Sequence, residues 1–305
     1  MNRLTNTLEK LKNENKKALV AYLVAGDPSI EVTLDLMKML IDAGVDVIEI
    51  GVPFTDPIAE GPIIQKAHDR ALKNNISLES IFEMVKDFRV KDENTPLVLM
   101  GYLNTFIFNK KLIEENENNV SLESIFEMVK DFRVKDDNTP LVLMGYLNTF
   151  IFNKKLIEEN ENNVIDSILV VDIPGELKLK DYGVYSENIN TISLISPTTK
   201  KHRIESIAKN SSGFVYYVTL RGVTGASNLD IKEITNNVKE IKKYATVPTL
   251  AGFGIKSPED AKLLSKCSDG VIIGSSIVQM IEEGSDSKEF DRITEYIKEI
   301  KLAIS

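Results

Sequence analysis

Short apolar runs alternate with amphipathic helical stretches along all 305 residues, and that alternation leaves few folds open. Strand, crossover helix and parallel strand in succession bury both faces of a sheet, so the pattern predicts an α/β protein. The predicted strands are Leu19–Val24, Val47–Gly51, Leu97–Gly101, Leu141–Gly145, Ser167–Val171, Thr191–Ile195, Gly213–Val218, Thr249–Ala251 and Gly270–Ile273. Between them lie apolar stripes at helical spacing: Val32, Leu36, Leu40 and Ile41; Ile231, Ile234, Val238 and Ile241; Phe290, Ile293, Ile297 and Ile300. Met1–Lys17 reads as a charged amphipathic helix without a signal-peptide core, and no apolar stretch approaches the length of a membrane span.

Nine strands are one more than the common closed (β/α)8 TIM barrel holds, and the sequence shows where the surplus comes from. Residues 77–120 recur as 121–164 with one change, Glu93 against Asp137, which reads as a tandem duplication. Each copy carries an amphipathic helix, a Pro-Leu-Val-Leu-Met-Gly-Tyr strand and a polar helix rich in Glu and Asn; no other segment shares the unit, so this is no solenoid. A ninth strand changes the shear and interior packing of a barrel. The expectation is therefore one TIM-barrel domain over 1–305 with eight strands in the ring. The segment 121–164, or equivalently 77–120, lies outside the ring as an insertion. Since the first copy leaves the ribosome first, it is expected inside. A displaced strand would expose a backbone edge and apolar side chains, and so would need cover.

A net charge of -9 and a pI near 5.0 argue against nucleic acid or an anionic membrane as partner and favour a small metabolite. The single cysteine, Cys267, excludes an internal disulfide and falls on a helix face, where packing is its expected role; the protein reads as cytoplasmic. His68 and His202 have no second ligand at metal spacing, so no metal is expected and both are assigned to the surface.

The chemistry concentrates in Val47-Ile-Glu-Ile-Gly-Val-Pro-Phe-Thr-Asp-Pro-Ile-Ala-Glu-Gly-Pro62. Glu49 ends an apolar strand, and a second carboxylate, Glu60, follows eleven residues later, before a helix that starts near Pro62. Apolar surroundings push a carboxylic acid's pKa upward, toward the range where it both gives and takes a proton near neutrality. Three strand ends then offer free backbone amides: Gly222-Val-Thr-Gly225, Gly252-Phe-Gly254 and Gly274-Ser-Ser276. In (β/α) barrels such loops, with a helix start, form an anion site. One glycine loop alone simply makes a turn; three at successive strands point to phosphate.

These residues, with Ala25-Gly-Asp-Pro28, Tyr102-Leu-Asn104 and Val171-Asp-Ile-Pro174, resemble the alpha subunit of tryptophan synthase over essentially the whole chain outside the extra copy. The resemblance implies cleavage of indole-3-glycerol phosphate to indole and glyceraldehyde 3-phosphate. The chain would need no cofactor of its own and would work with a pyridoxal-phosphate-bearing beta subunit in an alpha2beta2 heterotetramer. It implies that Glu49 transfers protons and that the acid at position 60 stabilises the indole N–H. Tyr22, Tyr216 and Tyr102, or its twin Tyr146, would line the pocket. Thr224 would help its loop close, and Gly225, Gly254, Gly274 and Ser275 would hold the phosphate. Asp56 would organise its loop or meet the partner. Where the family has aspartate this chain has Glu60, one methylene longer, which shifts the carboxylate by about 1 Å. An alternative is a catalytically impaired subunit that only docks on and activates the beta subunit; a different phosphate-binding barrel enzyme is disfavoured by the Pro-Phe-Thr-Asp-Pro loop.

Overall fold

The computed structural model describes residues 3–55, 60–102, 130–131, 141–145, 167–170, 181, 189–218, 231–252, 254–284 and 287–305. Its centre is a closed ring of nine parallel strands paired in chain order: β1 (Ala18–Val24), β2 (Val47–Gly51), β3 (Leu97–Tyr102), β4 (Leu141–Gly145), β5 (Ser167–Val170), β6 (Asn190–Ile195), β7 (Val215–Val218), β8 (Thr249–Gly252) and β9 (Gly270–Ile273). Helices surround it: α1 (Arg3–Asn13), α2 (Ile30–Asp42), α3 (Pro62–Lys73), α4 (Leu78–Arg89), α5 (Lys201–Asn210), α6 (Ile231–Lys242), α7 (Pro258–Ser265), α8 (Ser275–Glu283) and α9 (Ser287–Ile304).

The α/β barrel is as expected, but the count of strands in the ring is not. Neither copy's strand lies outside: β3 and β4, both reading Leu-Val-Leu-Met-Gly, sit side by side, with Leu99 opposite Leu141 and Tyr102 opposite Met144. The physical reason lies in the edges. β4 offers β5 the edge that β3 would otherwise offer, and β3 meets its own sequence across a stagger of two residues, which keeps inward side chains inward. A displaced strand would have left both edges unpaired.

Alternation along each strand sorts the apolar residues into two cores. Leu19, Leu23, Ile48, Ile50, Leu99, Val215, Tyr217 and Val271 face outward against the helices. Val20, Val47, Val98, Val142, Leu169, Ile192, Phe214, Leu250 and Ile272 face inward and fill the lumen. The predicted amino-terminal helix, α1, closes one end: its Leu4, Leu8 and Leu11, spaced along one face, join the inward cluster beside Ala18 and Val20. At the other end of the chain Lys301 of α9 binds Asp46, 2.6 Å away, whose carboxylate also accepts the Leu19 N–H at 2.7 Å.

The Ala25-Gly-Asp-Pro28 turn after β1 is held by charge. Asp27, 2% exposed, accepts two hydrogen bonds of 2.8 Å from the guanidinium of Arg70 on α3, and Arg70 also lies 3.3 Å from Glu282 of α8. Removing one partner of such a pair strands a buried charge. Arg70→Ala is expected to cost about 3 kcal/mol in urea denaturation; a loss below about 1 kcal/mol, the scale of a surface pair, would refute the assignment.

Among the described residues no helix is long and apolar enough to cross a membrane, and no group of His, Cys, Asp and Glu could hold a metal ion. Cys267 lies just past α7 rather than on its face, buried, with its thiol donating to the Leu264 carbonyl at 3.2 Å; burial raises its pKa. It is a packing residue.

Candidate active site

Strand parity sends Tyr22 of β1, Glu49 of β2, Met100 of β3, Met144 of β4 and Tyr216 of β7 to the lumen at the carboxyl-terminal half of the ring. Tyr22 and Glu49 are partners in the β1–β2 register. Glu49 is 2% exposed, in a wall of apolar side chains, and its pKa is raised to about 8, first by burial and then by repulsion from Glu60. Glu60, partly exposed as a residue, is raised to about 7 by burial. Tyr216, also buried, is held well above the ordinary phenol range by burial and by both carboxylates, so it stays a protonated donor. These three groups therefore act on one another, although Glu60 lies on the connection to α3 rather than on a strand.

Three inward glycines make the room. A Cβ at Gly51 would run into the Tyr22 hydroxyl, one at Gly252 would lie 3.0 Å from the Tyr216 hydroxyl, and one at Gly274 would lie 3.2 Å from the Tyr22 Cβ. Gly252 and Gly274 thus do more than turn the chain: they leave space for the two aromatic rings.

The loops expected to bind an anion are placed in part. Gly274 caps α8, whose first residue is Ser275, so the amides at this helix start point out of the helix. Gly254, at φ +75, occupies a backbone conformation reserved for glycine. Ser276 donates to the Ile255 carbonyl at 2.8 Å, tying the α8 start to the Gly254 turn. Gly254, Gly274 and Ser275 are therefore neighbours. Gly225, Thr224, Tyr146, Asp56 and Val171–Pro174 lie outside the described residues, and for Tyr102 only the backbone at the end of β3 is described.

His68 corrects the surface assignment: it is 2% exposed, whereas His202 is exposed on α5. Its Nδ1 accepts the Phe54 N–H at 3.0 Å, and its Nε2 faces the Tyr22 hydroxyl at 3.4 Å. Burial lowers its pKa to about 4, so the ring is neutral. The signal for this was present in the sequence: His68 falls on the same α3 face as Ile64, Ala67 and Ala71, which pack against Tyr22 and Val24.

A parallel barrel with two interacting carboxyls at the mouth and a helix-start amide cluster on its rim has the layout of a barrel enzyme. Sequence comparison makes the family explicit. The model of the family described as tryptophan synthase alpha chain matches residues 8–116 and 113–304. Tryptophan synthase alpha chains of Janthinobacterium sp. and Nitrosomonas europaea are each 36% identical to this chain, covering 100% of it and 99% and 96% of their own lengths. A crystal structure of tryptophan synthase subunit alpha from Legionella pneumophila superposes with a TM-score of 0.68 at 31% identity, covering 100% of this chain and 98% of that one. The chain belongs to the tryptophan synthase alpha chain family, a family of lyases of tryptophan biosynthesis.

Proposed function

We propose that the chain cleaves indole-3-glycerol phosphate to indole and glyceraldehyde 3-phosphate, a retro-aldol carbon–carbon scission, and hands indole to a beta subunit that carries pyridoxal phosphate. The observation that supports this most is the pair of carboxyls with raised pKa values, Glu49 and Glu60, at one barrel mouth. Protonated Glu49 delivers its proton to the third carbon of the indole ring, while ionised Glu60 accepts the ring N–H and stabilises the charge developing there. The Glu49 carboxylate then takes the hydroxyl proton from the adjacent side-chain carbon. The carbonyl forms, the carbon–carbon bond breaks and its electrons return to the ring as indole. Tyr22, Tyr216 and Tyr102 or Tyr146 form the walls. Gly225, Gly254, Gly274 and Ser275 hold the phosphate, Thr224 helps its loop close, and the family's alpha2beta2 arrangement is the working assembly. The whole of 1–305 serves as a single barrel domain enlarged by a tandem repeat.

Turnover needs Glu49 protonated and Glu60 ionised at once. As a pair they give a bell-shaped rate profile with its maximum between about 7 and 8, falling close to tenfold per pH unit on either side. Indole release from indole-3-glycerol phosphate by the purified chain, with and without a beta subunit, tests the reading; a flat profile from pH 5 to 9 contradicts it. The enlarged ring favours one other reading, an impaired subunit that docks on the beta subunit and stimulates it without turning over. Its signature is beta activation with no indole formed.

A further inference from the structure

We propose that α3 is a jig for the active-site connection, in which Gln65 and His68 hold its two ends and His68, through the Phe54 amide, is a positioning residue that sets the connection carrying Glu60 relative to Glu49. The inference rests on the lyase reading above and deepens it. The connection leaves β2, passes Phe54 and reaches Glu60 just before α3 begins. At its near end, the Phe54 N–H donates to His68 Nδ1 at 3.0 Å; at its far end, the Gln65 side-chain amide donates to the Glu60 carbonyl at 2.8 Å. Gln65 and His68 are three residues apart, hence neighbours on one helical face. One rigid helix therefore grips both ends of the segment that carries the second carboxylate.

His68 does this in one tautomer. A bare Nδ1 is required to accept from Phe54, which leaves the proton on Nε2, turned toward the Tyr22 hydroxyl at 3.4 Å. The same ring thereby ties the exit of β2 to an aromatic wall that neighbours Glu49 in the sheet. The helix itself cannot drift, because Ile64, Ala67 and Ala71 pack with Tyr22, Val24 and Val278. A buried histidine with only a packing role would make the same contacts, so the test must separate position from stability.

Asparagine places an acceptor where Nδ1 sits; glutamine reaches the Nε2 position instead; leucine fills the space with neither. His68→Asn should keep kcat within roughly threefold of the parent, whereas His68→Gln and His68→Leu should lower it by about 10²-fold, the scale of an ångström of misplacement, with KM nearly unchanged. A kcat for His68→Leu close to the parent's, or equal losses in Asn and Gln, overturns the proposal; if the leucine variant does not fold, the contrast between Asn and Gln decides. An arm independent of turnover uses nitrogen-15 NMR of the two imidazoles, assigned with a His202→Gln variant. A neutral His68 ring protonated at Nε2 is expected, and the opposite tautomer or a doubly protonated ring refutes it. A parent chain without turnover defeats the lyase reading, and the tautomer result then still judges His68.

Discussion

Replacing Glu49 with glutamine should cut indole release by about 10³-fold or more and, at pH 8, make the fold more stable. The first half follows from the role proposed for Glu49, which gives one proton and takes another. The second follows from the coupling of folding to the protonation of Glu49. In the folded chain the Glu49 pKa is raised to about 8 from its ordinary 4.5. The unfolded chain therefore releases this proton first, and stability falls as pH rises from about 4.5 to 8. Glutamine removes the ionisation and with it that slope, a gain on the order of a few kcal/mol at pH 8. Thermal melts of parent and variant at pH 5 and pH 8 check it: the melting temperatures should differ little at pH 5, with the variant higher at pH 8. A variant that still turns over, or that is no more stable at pH 8, removes Glu49 from the role.

Excising residues 121–164 should leave a folded chain that turns over about 10²-fold faster than the parent. β3 and β4 share the sequence Leu-Val-Leu-Met-Gly, so in the shortened chain β3 keeps its pairing with β2 and takes over β4's pairing with β5, with Val98 opposite Ser167 where Val142 now stands. The ring closes with one strand fewer. Strands lie about 4.8 Å apart and barrel diameter grows roughly linearly with their number, so the ninth strand widens the lumen by about 2 Å. That displacement separates Glu49 on β2 from Tyr216 on β7 and from the amides near Gly274, and enzymes lose about two decades of rate to an ångström of misplacement. Steady-state kinetics of both chains, with circular dichroism to confirm folding, decide the matter. Equal rates would mean that the enlarged mouth is tolerated, and an unfolded short chain would mean that β4 is indispensable.

Strand identity and spacing were legible because a parallel strand buried on both faces is a short continuous apolar run, and each predicted run coincides with an observed strand to within a residue or two where described. Glu49 was legible because a carboxylate among Val47, Ile48 and Ile50 contradicts its surroundings. Ring size was not. Whether a ninth strand joins depends on how its two edges match their neighbours, and hydrophobic pattern carries no information about edges. His68 was misplaced for a related reason: one histidine lacks a pattern of its own, and only the α3 face shared with Ile64, Ala67 and Ala71 marks it as buried. The space that Gly51 and Gly252 leave was not legible, because the demand for it comes from Tyr22 and Tyr216 on other strands, which linear order hides.

The leucines of α1 give the barrel a floor: Leu4, Leu8 and Leu11 stop the lumen at one end. Among the described residues the vessel is closed below, so reactant and product share the opposite rim on the way in and on the way out. Any macromolecule seated over that rim becomes gatekeeper of both, and an apolar product leaving the chamber meets it before it meets bulk water.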